Sequence, residues 1–250
     1  MIPSRRGGLR VPARESRGLV ATRERSYTIR HEPRWHAVLA VAAALLLYIT
    51  LPPRLTIGPV WVAPLLVLLV LVPLFYLAPR RAADNRRIRI LGLLSIAIVN
   101  FFNIASIVLL IAAFFHPAKA RTFDSALVLL RIGGQIWLTN VLVFGLWFWE
   151  LDGGGPAIRE RDAAAHGSHK PDFLFPQMSF SETTCSSAYD PHWTPAFFDY
   201  LYLAFTNATA FSPADALPLS RRAKTAMMIE AMVSFATIAI VLSRSVSLIG

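Results

Sequence analysis

The sequence predicts an all-α fold, a polytopic transmembrane helix bundle of about five spans plus one short re-entrant or half-length helix. Hydrophobic residues fill 55% of the 250 positions and charged residues only 16%, whereas about a quarter of a soluble domain is charged. The apolar residues are also gathered into long blocks, and most of these blocks reach the roughly 20 residues that cross a hydrocarbon core of about 30 Å. The blocks are residues 35–51, 59–78, 90–115, 126–149 and 225–249.

The first two helices are bounded and marked by prolines. We expect the first helix over 35–51, ending at Pro52-Pro53, because proline has no N–H to donate and its ring clashes with the preceding turn. The second helix is expected over 59–78 and contains Pro64 and Pro73. Spanning helices tolerate such prolines where neighbouring helices satisfy the freed carbonyls.

The next two helices form a pair around a polar turn. We expect the third over 89–115 and the fourth over 125–149, joined at His116-Pro-Ala-Lys119. Together with the first two they make a four-helix transmembrane region over 35–150. The last apolar helix, over 225–249, closes the chain.

Arginine dominates the start of the chain and one short loop. Nine arginines lie within residues 1–34, and five more lie within residues 80–89. Basic residues beside spans set their orientation and meet anionic lipid headgroups. We therefore interpret residues 1–34 as a disordered, basic cytoplasmic tail of a multi-pass inner-membrane protein and expect no nucleic-acid partner. An Arg-rich organellar transit peptide is the alternative for this tail.

Residues 151–195 form the one sizeable hydrophilic loop, which charge counting places in the cytoplasm. Its charged part, around Arg159-Glu-Arg-Asp162, is expected to be disordered. The cluster Phe173-Leu-Phe175 is expected to lie against the membrane surface or to fold back onto the helices.

Polar and charged side chains interrupt the apolar helices. A charge at mid-membrane costs roughly 2.5–3.5 kcal/mol, so such residues face the bundle interior and find partners. We expect Arg131 and Glu230 to face inward, close to each other. These residues are either a polar pathway or interhelical glue, with Arg131 snorkelling to the interface in the second case. The intramembrane polar candidates are Asn100, Asn103, Arg131, Gln135, Asn140 and Glu230.

A short helix followed by a polar turn precedes the last apolar helix. Apolar and aromatic residues over 197–209 predict a half-length helix; Asp215 and Pro218 follow, and then basic residues. This order resembles the pore loop of potassium channels, with Thr209 on a filter-entry threonine, Asp215 on the family's aspartate and Pro218 on its proline. The resemblance implies a pore lined by Thr206, Asn207, Thr209, Ser212 and Asp215, and four copies around an axis.

The filter itself departs from the family's pattern. Ala-Phe-Ser-Pro-Ala over 210–214 stands where the family has Thr-Val-Gly-Tyr-Gly, and the family's glycines permit the backbone angles that turn carbonyls towards the ion. We therefore expect at most a weakly selective ion pathway. A non-conducting membrane scaffold or interaction protein is the alternative. The half-helix either re-enters from the cytoplasmic face or crosses as a short sixth span, unless the charge rule fails here.

The sequence carries no enzyme signature: it has no Gly-rich phosphate loop, no Gly-x-Ser-x-Gly and no His-Glu-x-x-His. We expect no catalytic residues and no cofactor. His166 and His169 have no cysteine or evident third ligand near them, so we expect no metal site. A single cysteine, Cys185, excludes an intrachain disulfide.

Overall fold

The computed structural model describes residues 35–77, 85–115, 125–164, 170–179, 190, 193–210 and 216–249. The basic tail, the arginines at 80 and 81, the histidines at 166 and 169 and the filter-like stretch 211–215 lie outside the described residues. The helices are α1 (Trp35–Ile49), α2 (Val62–Leu77), α3 (Asn85–Phe115), α4 (Ala126–Leu151), α5 (Pro156–Ala164), α6 (Pro176–Ser179), α7 (Phe197–Ala210) and α8 (Arg221–Ile249).

The all-α expectation is confirmed, and the helix ends lie close to their predicted positions. α1 stops just before Pro52-Pro53, and a 3₁₀ turn runs over Pro53–Leu55. α7 confirms the half-length helix before the last apolar segment. Strand structure in the described residues is limited to β1 (Phe173–Leu174) and β2 (Leu217–Pro218), paired antiparallel with Phe173 opposite Pro218.

The expectation of disorder around Arg159 is wrong, because residues 156–164 form α5. Proline at the first position of this helix has the backbone angle that a helix start needs. The Arg159 guanidinium then ties α5 to the end of α4: its Nη1 donates to the carbonyls of Trp149 at 2.8 Å and Asp152 at 2.7 Å. These bonds add a side-chain donor to two carbonyls at the end of α4, of which that of Asp152 also accepts the N–H of Gly155 at 2.9 Å.

α4 is the central helix of the bundle. It packs against α8 and α7 on one side and against α1 and α3 on the other. Its second half, from Thr139 to Glu150, is buried around almost its whole circumference, as expected of a helix enclosed by others rather than lying on a surface. Any side chain in this half that is polar is therefore enclosed by protein.

Three helical stretches of the described residues are long and apolar enough to cross a membrane. They lie within 89–114, 126–162 and 221–248, and two shorter apolar helices cover Trp35–Ile49 and Val62–Val72. Large apolar side chains cover the outside of the bundle, including Leu127 at 76% exposed, Met232 at 69% and Leu69 at 68%. A soluble monomer rarely exposes so much contiguous apolar surface, so the three apolar helices and this surface fit a membrane protein.

Gly133 of α4 lies directly against the side chain of Val241 of α8. A Cβ added there would lie 2.5 Å from Cγ2 and 2.8 Å from Cγ1 of Val241, whereas a Cβ on the adjacent Gly134 meets nothing within 4 Å. Because valine is stiff about χ1, it cannot swing away without shifting the helices. Gly133 therefore sets the distance between the two helices.

We expect Gly133→Ala to lower the stability of the protein in mild detergent by about 1–3 kcal/mol, the usual cost of overpacking. Gly134→Ala is the matched control and should be neutral or slightly stabilising, since alanine favours helix more than glycine does. Adding Val241→Ala to Gly133→Ala should recover most of the loss. Thermal unfolding of the wild type and the three variants measures this, and equal effects of the two glycine changes would contradict the close contact.

Candidate functional site

Glu230 is completely buried in α8, at 0% exposed. Its Oε2 accepts a hydrogen bond of 2.8 Å from Nδ2 of Asn207 on α7. The same Nδ2 donates to the carbonyl of Met227 at 2.9 Å, and this second acceptor fixes which way the amide points. The other carboxyl oxygen, Oε1, has no hydrogen-bond partner among the described residues.

Asn140 closes the site from the α4 side. Its Nδ2 donates to Oγ of Ser234 at 2.9 Å and lies 3.5 Å from the carbonyl oxygen of Glu230. Its Oδ1 is buried and, within the described part of the chain, has no hydrogen-bond partner. We call Asn140, Asn207, Glu230 and Ser234 the Glu230 cluster. It joins α4, α7 and α8 and contains one carboxyl group and no cationic side chain.

The expectation that Arg131 faces inward beside Glu230 is wrong. Arg131 is exposed, and the hydrogen bond to the carboxyl of Glu230 comes from Asn207 of α7. Asn140 marks the level of Glu230 along α4, and nine residues of helix separate it from Arg131, about 13 Å along the axis. Near the start of α4, the long side chain reaches the outside of the bundle.

The remaining polar candidates of the apolar helices lie apart from the cluster. Gln135 is half-buried and donates from Nε2 to Oγ1 of Thr50 at 2.9 Å, which ties α4 to the end of α1. Asn103 is buried in α3, and its Nδ2 lacks a partner in the described residues, as does Oδ1 of the half-buried Asn100.

The pore-lining candidates are divided between α7 and the stretch after it. Asn207 turns into the Glu230 cluster, whereas Thr209 is exposed and donates from Oγ1 to the carbonyl of Phe205 at 2.8 Å. Thr206 is half-buried and donates to the carbonyl of Leu203 at 3.0 Å. Ser212 and Asp215 lie outside the described residues.

A second buried carboxylate organises the hydrophilic segment after α4. Asp152 is 0% exposed. Its Oδ1 accepts the backbone N–H groups of Asp172 at 2.6 Å and Phe173 at 3.1 Å, and its Oδ2 accepts the Tyr200 hydroxyl at 2.6 Å. One side chain thus joins the end of α4, the start of β1 and the first turn of α7.

Asp172 extends this network to α8. Its Oδ2 accepts the backbone N–H of Gly153 at 3.0 Å, its Oδ1 pairs with Nη2 of Arg222 at 3.3 Å, and its carbonyl accepts the N–H of Leu219 at 2.8 Å. We call the described residues 151–164 and 170–179 the cap. The expectation that Phe173-Leu-Phe175 folds back onto the helices is confirmed, since Phe173 packs on Phe148 with ring centroids 5.2 Å apart.

Sequence reasoning missed the role of Asp152, although a signal stood next to it. Three glycines follow this aspartate, and all three have positive φ, from 55° at Gly153 to 98° at Gly155. At Gly155 a Cβ would also lie 3.0 Å from Oε2 of Glu150. An acidic residue followed by Gly-Gly-Gly at a helix end indicates a tight turn that only glycine permits, and such a turn brings later chain back to the carboxylate.

In the part of the chain that the structure describes, no group of three or more His, Cys, Asp or Glu side chains could hold a metal ion. Comparison of the chain with protein-family models, with curated proteins and with solved structures found no match.

Proposed function

We propose that this membrane protein forms a weakly selective pathway for monovalent cations, protons included, between α4, α7 and α8, with Glu230 as its binding group. The observation that carries the proposal is the state of the Glu230 carboxyl. It is fully buried, it receives a single amide donor, and its Oε1 has no partner among the described residues.

The electrostatic argument is that the cluster lacks positive charge. An ionised carboxylate taken out of water costs several kcal/mol unless a cation compensates it, and the side chain that hydrogen-bonds this carboxyl is the neutral amide of Asn207. Within the Glu230 cluster, two buried acceptor atoms have no partner among the described residues, Oε1 of Glu230 and Oδ1 of Asn140, and both complement a proton or a cation. Ionisable residues enclosed in a membrane bundle commonly mark ion pathways for this reason.

The position of α7 supports the same proposal. A helix of 14 residues is too short to cross a bilayer comfortably, and short helices at membrane depth are tolerated where they are buried in protein or line a cavity. The resemblance to a pore loop agrees with this placement. A site made of side chains rather than of a ring of backbone carbonyls lacks the device that selects potassium, so poor selectivity follows.

A non-conducting membrane scaffold is the second candidate. The observation that favours it is the cap, which Asp152 and Asp172 hold in a defined conformation through bonds to four separate segments. A rigid polar surface of this kind suits docking of a partner protein. In this case Glu230 and Asn207 serve as interhelical glue.

Flux through reconstituted protein separates the two functions. Wild-type protein in liposomes should pass protons, sodium and potassium with little discrimination, and Glu230→Gln should reduce this flux by at least about tenfold, equivalent to 1.4 kcal/mol on the barrier. Glu160→Gln, a carboxylate removed from α5 instead, is the matched control and should leave flux unchanged.

Three results would contradict the pathway. Wild-type flux no greater than that of empty liposomes would favour the scaffold. Unchanged flux in Glu230→Gln would remove Glu230 from the pathway, and strong selectivity for potassium over sodium would contradict a site made of side chains. Elution of each variant as a single species in detergent checks that the protein is folded.

A further inference from the structure

A cavity of about 120 Å³ lies beside α7, on its cap side. Its walls come from the end of β1, from α6 and from one face of α7. For comparison, an engineered cavity of about 150 Å³ in another protein binds benzene, so this one has room for a ligand of a few non-hydrogen atoms. The lining residues that bear on the ligand are Phe175, Asp199, Tyr202, Leu203 and Thr206.

Asp199 supplies the negative charge of this cavity. Its Oδ2 accepts the backbone N–H of Ala196 at 2.7 Å, the reciprocal bond of a capping box at the start of α7. No arginine, lysine or histidine of the described residues pairs with it. The group is half-buried, and this burial raises the pKa of the Asp199 carboxyl above its ordinary value. Backbone N–H groups at the start of α7, rather than a cationic side chain of the described residues, therefore stabilise its negative charge.

Two aromatic residues also line the cavity. Phe175 is buried and held between Trp193 and Tyr200, with ring centroids 5.9 Å and 5.3 Å away. Tyr202 lies one turn after Asp199 on α7 and lines the same cavity. The faces of such rings attract cations, most strongly where water is excluded.

We propose that this cavity binds a small organic ammonium ion, with Asp199 as counter-ion and Phe175 and Tyr202 as the aromatic wall. A sodium ion is a poor fit, since it demands a shell of oxygen ligands in place of its water, whereas this wall is mostly ring and methyl surface. A methylated ammonium loses little hydration energy and matches both the carboxylate and the rings. The inference does not depend on the proposed ion pathway, because binding is measurable without flux.

Binding should depend on pH through Asp199. The described lining residues contain Tyr202 as the other ionisable group and otherwise only neutral side chains such as Gln177 and Thr206. Only the ionised carboxylate attracts the ligand, so affinity is present above the pKa of Asp199 and is lost as the pH falls through it. Because burial raises this pKa, the loss occurs at a higher pH than for an exposed aspartate.

The experiment is a titration of the full-length protein in mild detergent with tetramethylammonium chloride, against sodium chloride at equal ionic strength. We expect a saturable rise of the unfolding temperature in the millimolar range with tetramethylammonium only. Asp199→Asn should abolish it, and Phe175→Leu should weaken the affinity several-fold. Asp162→Asn removes a carboxylate of the cap that does not line the cavity and should bind as the wild type does.

Each alternative result decides against the proposal. An equal rise of the unfolding temperature with sodium chloride would mean that ionic strength causes the effect. A rise that does not saturate with tetramethylammonium would mean nonspecific binding. If Asp199→Asn binds tetramethylammonium with the affinity of the wild type, Asp199 is not the counter-ion. If Asp199→Asn does not fold, Phe175→Leu and the pH dependence of wild-type binding still test the site, and affinity that stays constant as the pH falls would overturn it.

Discussion

Replacing Asp152 by alanine is expected to lower the free energy of unfolding by about 3–5 kcal/mol, the cost of removing one partner from a buried charged network. The change leaves two backbone N–H groups and the Tyr200 hydroxyl without their acceptor. A buried N–H that loses its acceptor costs about 1–3 kcal/mol where water cannot enter. Chemical or thermal unfolding in detergent measures the loss.

Two variants show whether the loss comes from these bonds. Tyr200→Phe removes one hydrogen bond and should lower the free energy of unfolding by about 1–2 kcal/mol. Asp152→Asn keeps an acceptor oxygen, so its free energy of unfolding should lie between those of the wild type and Asp152→Ala. In the double variant Asp152→Ala with Tyr200→Phe, the two losses should be less than additive. Strict additivity would mean that the hydroxyl and the carboxylate do not interact.

Replacing Asn207 by leucine is expected to destabilise the bundle by about 2–5 kcal/mol, because it leaves the Glu230 carboxyl enclosed without its one donor. Glu230→Leu should cost less, since the Asn207 amide keeps the carbonyl of Met227 as an acceptor. The double variant Asn207→Leu with Glu230→Leu should be more stable than Asn207→Leu alone, because neither polar partner is then stranded.

Arg131→Leu is the matched control for this cycle. Arg131 is a charged residue of α4 that is exposed rather than enclosed, so its replacement should show no coupling to Glu230→Leu. A coupling energy between Arg131 and Glu230 as large as that between Asn207 and Glu230 would contradict the arrangement of the cluster. Purified yield and unfolding temperature in one detergent provide both comparisons.

The sequence was sufficient for the helices and for most members of the Glu230 cluster, but not for their pairing. Length and apolar content place α3, α4 and α8, and prolines place the end of α1. The cost of polar groups in an apolar helix points to Asn140 and Glu230. Which of several inward polar residues meet depends on the rotation and axial offset of the packed helices. A single-sequence pattern leaves both undetermined, so it does not distinguish Asn207 from Arg131 as the partner of Glu230.

The hydrogen bonds of Asp152 are not predictable from the sequence pattern for a different reason. Its partners stand 20, 21 and 48 residues further along the chain, and two of them are backbone N–H groups, which every residue other than proline possesses. The spacing of residue types along the chain therefore does not indicate which backbone N–H groups the carboxylate binds. The run of three glycines after Asp152 is the sequence feature that indicates the tight turn on which these bonds depend.

The ion pair between Arg222 and Asp172 has a mechanical consequence. Arg222 lies in the first turn of α8, and Glu230 lies eight residues further along the same unbroken helix, about 12 Å down its axis. A continuous helix transmits an axial shift or a rotation of its first turn with little loss. The ion pair therefore connects the cap, through the first turn of α8, to the helix that carries Glu230, so the hydrophilic segment and the buried cluster share one structural element.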